Sequence, residues 1–116
     1  MDLLVVCYGM ANSLPAFERY GLASQLRRCA LSVPANIAEG CGRTGHADRL
    51  RYLSIARGST CELQTLLCAV RRLGYALDEA QMQRAEELLG HVARLLSGLR
   101  RNLATRASSS SLASSL

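Results

Sequence analysis

The chain has 116 residues, the size of one domain, and 49% of them are hydrophobic, enough for a single core. The scarcity of β-branched residues after residue 6 argues against a sheet, and the longest apolar stretch, Leu3–Tyr8, is far too short to span a bilayer. Arginine supplies all 14 basic residues against 9 acidic ones, a net charge of +5, so an anionic partner is expected, either nucleic acid or an acidic protein.

Five cysteines (Cys7, Cys29, Cys41, Cys61, Cys68) contain no C-x-x-C, and no charged n-region precedes a long apolar run. The expected setting is a reducing cytoplasm, with the thiols as small buried hydrophobes and no membrane association.

In chain order, Asp2–Ser13 comes first. It carries a Val5-Val6 pair that propensity alone would place in a strand, and Pro15 ends it. A second helix is expected from Gly21 to Glu39, with Leu22, Leu26, Cys29, Val33 and Ile37 as its apolar stripe and Pro34 as a kink. Gly40, Gly42 and Gly45 then make a loop. The third helix, from Gly45 to Leu73 with Gly74 as its stop, buries Leu53, Ala56, Thr60, Leu63, Leu67 and Val70. Its other side has only small residues, Ser54, Gly58, Cys61, Thr65 and Ala69. That seam is either the site of close approach by another backbone or simply exposed. The fourth helix starts at an Asp78 N-cap and buries Met82, Ala85, Leu89, Val92, Leu96, Leu99 and Leu103. The expected fold is an all-α, antiparallel, up-and-down four-helix bundle over residues 1–105, followed by a Ser-rich disordered tail over 106–116.

The segment Leu14–Gly40 (LPAFERYGLASQLRRCALSVPANIAEG), with Ile55–Leu63 (IARGSTCEL) and Arg72–Tyr75 (RLGY), resembles the bacterial four helix bundle proteins. These were first described as products of an intervening sequence within 23S ribosomal RNA genes. The resemblance covers about residues 2 to 100. Relatives include the accessory variability determinant of diversity-generating retroelements, which assists a reverse transcriptase. The resemblance implies an antiparallel bundle assembled as a ring-like homopentamer, a basic surface that meets nucleic acid, and no catalytic machinery. Family members carry several more residues before the position of Leu3, so it also implies a first helix shortened by about two to three turns.

The arginines are the expected contacts. Seven lie between Arg19 and Arg57 against two acids, and four lie from Arg94 to Arg106 against none. Arg57 and Arg71 share a face of the third helix, and Arg94 and Arg101 share one of the fourth, each pair about 10.5 Å apart along the axis. Arg43, Arg49, Arg57, Arg71, Arg94 and Arg101 are therefore the candidate nucleic-acid contacts. With aromatic residues at 4%, binding to RNA or DNA is expected mainly through the backbone.

A polar stripe on the second helix is read differently. Arg28, Asn36 and Glu39 lie beside apolar neighbours, as does Glu62 on the third helix, so an Arg28–Glu62 or Arg28–Glu39 pair is expected inside the bundle or its interface. No metal site and no cofactor are expected: Cys61 and Cys68 are seven residues apart on one helix, too far for one ion. The protein is read as non-enzymatic. Two alternatives remain, a protein-interaction module without nucleic-acid binding and, less favoured, a ribonuclease of the HEPN type using Arg84 and His91.

Overall fold

The computed structural model describes the backbone of residues 1–115 and the side chains of residues 1–103. It has four helices and, among the described residues, no strand: α1 (Asp2–Ser13), α2 (Leu22–Gly42), α3 (His46–Leu73) and α4 (Glu79–Ser115), with a single-turn 3-10 helix at Ala16–Glu18. Each helix packs against the next, α4 returns to α1, and the diagonal pairs stay apart.

The Val5-Val6 pair does not produce a strand. Leu3, Cys7, Met10 and Ala11 are buried at helical spacing, so the core face requires a period of 3.6, and Val5 lies on the outside. Leu14, the residue before Pro15, is extended at φ −71°, ψ 155°, because the proline ring disfavours the helical region there. That ends α1.

The second helix continues through Pro34 and past the expected end at Glu39 to Gly42. Within it Gly40 is buried against α3. A Cβ placed there would lie 3.2 Å from Tyr52 Cβ and 3.4 Å from the Arg49 carbonyl oxygen. The two helices meet there because position 40 has no side chain. Replacing Gly40 by Val is expected to lower the unfolding free energy by about 1–3 kcal/mol, through overpacking against α3. Urea denaturation followed by circular dichroism measures this; a midpoint unchanged from the parent contradicts it.

The expected stripe of α3 is buried in full, from Leu53 through Ala56, Thr60, Leu63 and Leu67 to Val70. Gly74 closes the helix in the left-handed region at φ 72°, where a side chain would be strained. In the small-residue seam, Ser54, Gly58, Cys61 and Thr65 are exposed on the single chain, and Ala69 is half-buried. In α4, Met82, Ala85, Leu89, Leu96 and Leu103 are buried, while Val92 and Leu99 are half-buried. Asp78 Oδ1 accepts from Ala80 N at 2.9 Å, the N-cap the sequence announces. The backbone of α4 runs helical to Ser115, where a disordered tail is expected over 106–116; the side chains of that segment lie outside the described residues.

The core has two parts. All four helices build the larger one, around Met10, Leu26, Leu63 and Leu89. The smaller, Leu53, Ala56, Leu96 and Leu103 with Ile37 and Leu50 against it, has no α1 residue, since α1 is 12 residues long and α3 is 28.

The cysteines divide in the same way. Cys7 and Cys29 are buried, whereas Cys41, Cys61 and Cys68 are exposed, against the expectation of uniformly buried thiols. Burial, with the nearby Cys29, pushes the Cys7 thiol from 9.0 up to about 11. Cys29 also rises to about 11, chiefly through burial and then through Glu62. A neutral thiol with a raised folded value stabilises the fold below the ordinary thiol range. That contribution is lost as pH rises from 9.0 towards about 11. Iodoacetamide is expected to label three thiols in the native protein and all five in urea. Native labelling of Cys7 or Cys29, read by mass spectrometry, contradicts this.

Candidate nucleic-acid interface

Arginines converge where α2 turns into α3. Arg43 follows the last turn of α2, and Arg49, Arg51 and Tyr52 lie in the first two turns of α3. The Arg43 guanidinium donates to Glu39 Oε2 at 3.2 Å and to Tyr52 Oη at 3.0 Å, and its Cζ lies 4.9 Å from the centre of the Tyr52 ring. Arg51 approaches the same ring at 5.8 Å, and Arg49 Nε donates to the Arg43 carbonyl at 2.6 Å. Two guanidinium groups, Arg43 and Arg51, thus stand over one aromatic ring, with Arg49 bonded to the Arg43 backbone beside them, and Glu39 is paired with Arg43 alone. Tyr52 lets like charges stand close by offering its electron-rich face. The signal for this corner is the run Arg49-Leu50-Arg51-Tyr52: Arg51 is among the seven counted arginines but not among the candidate contacts, and Tyr52 carries no charge to count.

The tertiary fold then brings α4 to the corner. A shallow groove of about 270 Å³ is lined by Gly40, Arg49 and Leu53 on one side and Leu99, Asn102 and Leu103 on the other. Arg101, next to Asn102, is exposed, and Arg100 is half-buried. Of the candidate contacts, Arg43, Arg49 and Arg101 therefore gather at one end of the bundle. Arg57 and Arg94 are exposed farther along their helices; Arg94 Nη2 lies 3.1 Å from His91 Nδ1.

Arg71 does not join this group. Its Nε donates to Glu86 at 2.6 Å and its Nη2 to Glu79 at 2.9 Å, and these carboxylates hold its pKa above the ordinary arginine value. The acidic start of α4 folds back across the end of α3, so the donors of Arg71 clamp two helices. Sequence spacing placed Arg71 with Arg57, but it could not show which carboxylates the turn would deliver.

The polar stripe behaves partly as expected. Arg28 Nη2 donates to Glu62 Oε1 at 2.8 Å and also to Gln25. Ser32 and Ser59 bond at 2.7 Å, and Asn36 Nδ2 donates to the Ser32 carbonyl at 2.8 Å. The Arg28–Glu62 pair is not inside the single chain: the side chains are 60% and 46% exposed along the α2–α3 seam. Glu39 stands apart from this network and pairs with Arg43. Eleven residues along one helix separate Glu39 from Arg28 by about 16 Å, too far for contact.

The remaining candidates are scattered. Arg84 faces Asp2 at 4.0 Å, whereas His91 faces Arg94, so the two groups of the ribonuclease reading have different neighbours. Among the described residues, no three His, Cys, Asp or Glu side chains cluster as metal ligands. No described helix is long and apolar enough to cross a membrane.

The family described as 23S rRNA-intervening sequence protein matches residues 1–98, nearly the whole bundle. The chain belongs to this family. No curated protein matches it. The match takes in α1 to α3 and α4 as far as Gly98, so the arginine corner lies inside the family region and Arg100 and Arg101 lie beyond it.

Proposed function

We propose that this member of the 23S rRNA-intervening sequence protein family is a non-enzymatic accessory protein that binds RNA or DNA through the phosphate backbone. The arginine corner carries the reading: Arg43 and Arg51 stand over Tyr52, Arg49 is bonded to the Arg43 carbonyl, and one carboxylate, Glu39, pairs with Arg43. The fourth helix brings Asn102, next to the exposed Arg101, to the same groove. A concentrated positive field of this kind favours phosphates wherever the strand runs, without selecting bases.

Homo-oligomerisation is part of the proposal, as a cyclic pentamer of antiparallel bundles. The antiparallel order is supported by the pairing of Arg28 with Glu62, Ser32 with Ser59, and Gly40 with Leu53, whose numbers rise on α2 while they fall on α3. Self-association is supported by the exposed seam at Gly58, where an added Cβ would meet nothing within 4 Å, and by the exposed Leu31 and Ile55 on the same two helices. The ring and its number come from the family resemblance. A ring would repeat the corner and multiply weak phosphate contacts into strong binding. A reverse transcriptase is the protein partner that the resemblance suggests, and the cytoplasm the compartment.

Binding to a folded RNA, measured by gel shift from low to high salt, tests the reading, and affinity is expected to fall steeply. Exposed apolar side chains and the small-residue seam also favour a second reading, a protein-interaction module. It predicts no binding at any salt concentration.

A further inference from the structure

We infer that the turn between α1 and α2 is a second contact site, one that holds an unpaired nucleotide with its base stacked on Tyr20 and Phe17 and its phosphate at Arg19 and Arg27. The inference rests on the nucleic-acid reading and adds to it a preference for single strands. Few exposed aromatics are expected from the composition, yet Phe17 is 78% and Tyr20 is 86% exposed, both within one short turn. Large aromatic rings left in water at a single place mark a contact surface.

The turn is held rigidly. Glu18 N donates to the Pro15 carbonyl at 2.9 Å, Arg19 N to Ala16 at 3.1 Å, and Gly21 N to Glu18 at 3.1 Å. The Glu18 carboxylate accepts from Leu22 N at 3.3 Å with one oxygen and from the Tyr75 hydroxyl at 2.6 Å with the other. A Cβ at Gly21 would lie 2.9 Å from that carboxylate, so a side chain there would displace the Glu18 oxygen that caps Leu22 N. Phe17 meets Tyr75 edge-on, with centroids 6.0 Å apart, which fixes one ring. The platform therefore loses little freedom when a base stacks on it.

Charge is placed beside the rings. Arg19 Cζ sits 5.5 Å from the Tyr20 centroid. Between Arg19 and Arg27 lies a shallow cleft of about 270 Å³, with Asn12, Pro15, Ala16 and Ala23 in its wall. It is the right size for a phosphate with its water and too small for a drug-sized ligand. Arg27 Nη2 donates to Asn12 Oδ1 at 2.8 Å, and among the described residues neither Arg19 nor Arg27 pairs with a carboxylate. The carboxylate within the turn, Glu18, is already engaged by Leu22 N and the Tyr75 hydroxyl. Stacking with adjacent cations is how sequence-tolerant single-strand binders work.

Fluorescence anisotropy of the full chain with a labelled single strand of about 12 nucleotides, as RNA and as DNA, and with a duplex of equal length tests this. Tyr20→Ala and Phe17→Ala are each expected to weaken single-strand binding by about 5- to 150-fold and to leave duplex binding unchanged. The chain has no Trp, so Tyr20→Trp introduces a lone reporter, whose emission is expected to be quenched by the single strand and not by the duplex. Single-strand affinity untouched in Tyr20→Ala, or Tyr20→Trp emission unmoved by a bound strand, overturns the site. A changed sedimentation coefficient of Tyr20→Ala without nucleic acid also overturns it, by making the rings a subunit contact. If the parent binds no nucleic acid at all, the proposed function fails together with the site. If duplex binding persists while Tyr20→Ala changes nothing, the site alone fails.

Discussion

Replacing Leu63 by Ala is expected to lower the unfolding free energy by about 2–5 kcal/mol, the largest stability effect of any single change considered. Leu63 is fully buried, in the larger core cluster that α1, α2, α3 and α4 all share. The substitution removes three heavy side-chain atoms and leaves a void that four packed helices cannot all close at once, so a cavity penalty adds to the lost transfer energy. Leu95 provides the contrast. It lies on α4 with 55% of its surface exposed, and Leu95→Ala is expected to change stability by less than about 0.5 kcal/mol. Urea melts of the two variants measure the difference, and equal midpoints would show that Leu63 is not at the centre of the core.

Substituting Gln for Arg43, Arg49 and Arg51 together is expected to flatten the salt dependence of nucleic-acid binding, reducing the slope of log affinity against log salt by about 2–3 per chain. Each phosphate neutralised by an arginine releases condensed counterions, so three lost contacts remove close to three such terms. The effect is largest at this corner because Glu39 pairs with Arg43 alone, and among the described residues neither Arg49 nor Arg51 has a carboxylate partner. Arg71→Gln serves as the control. Its donors already go to Glu79 and Glu86, so its slope is expected to match the parent's. A triple variant that keeps the parental slope would remove the corner from the interface; a flattened slope in Arg71→Gln would show that its ion pairs open on binding.

Much of the bundle is legible in the chain because each helix repeats apolar residues at three-four spacing. The stripe of α3, Leu53 to Val70, is read from the sequence and buried in the fold without exception. Local chemistry is equally direct at Gly74, where the left-handed stop is taken, and at Pro15, which ends α1. The candidate site is less legible. Arg43 and Arg49 are visible as charges, but the approach of Arg43 to Tyr52 and of Arg49 to the Arg43 carbonyl depends on how tightly α2 turns into α3, where Gly40 lets the two helices come close.

The order of residues alone specified the helical class, the bounds of α2 and α3 and the start of α4 to within a few residues, and the inward faces of α2, α3 and α4. These properties follow from neighbours three or four positions away, and hydrophobic burial reads them directly. Only the tertiary structure decided which arginines remain available and which are held by carboxylates, where the Arg28–Glu62 pair lies relative to water, and that Phe17 and Tyr20 project together from one turn. A charge's availability depends on partners that are distant in sequence and near in space, and one-dimensional spacing carries no record of that distance.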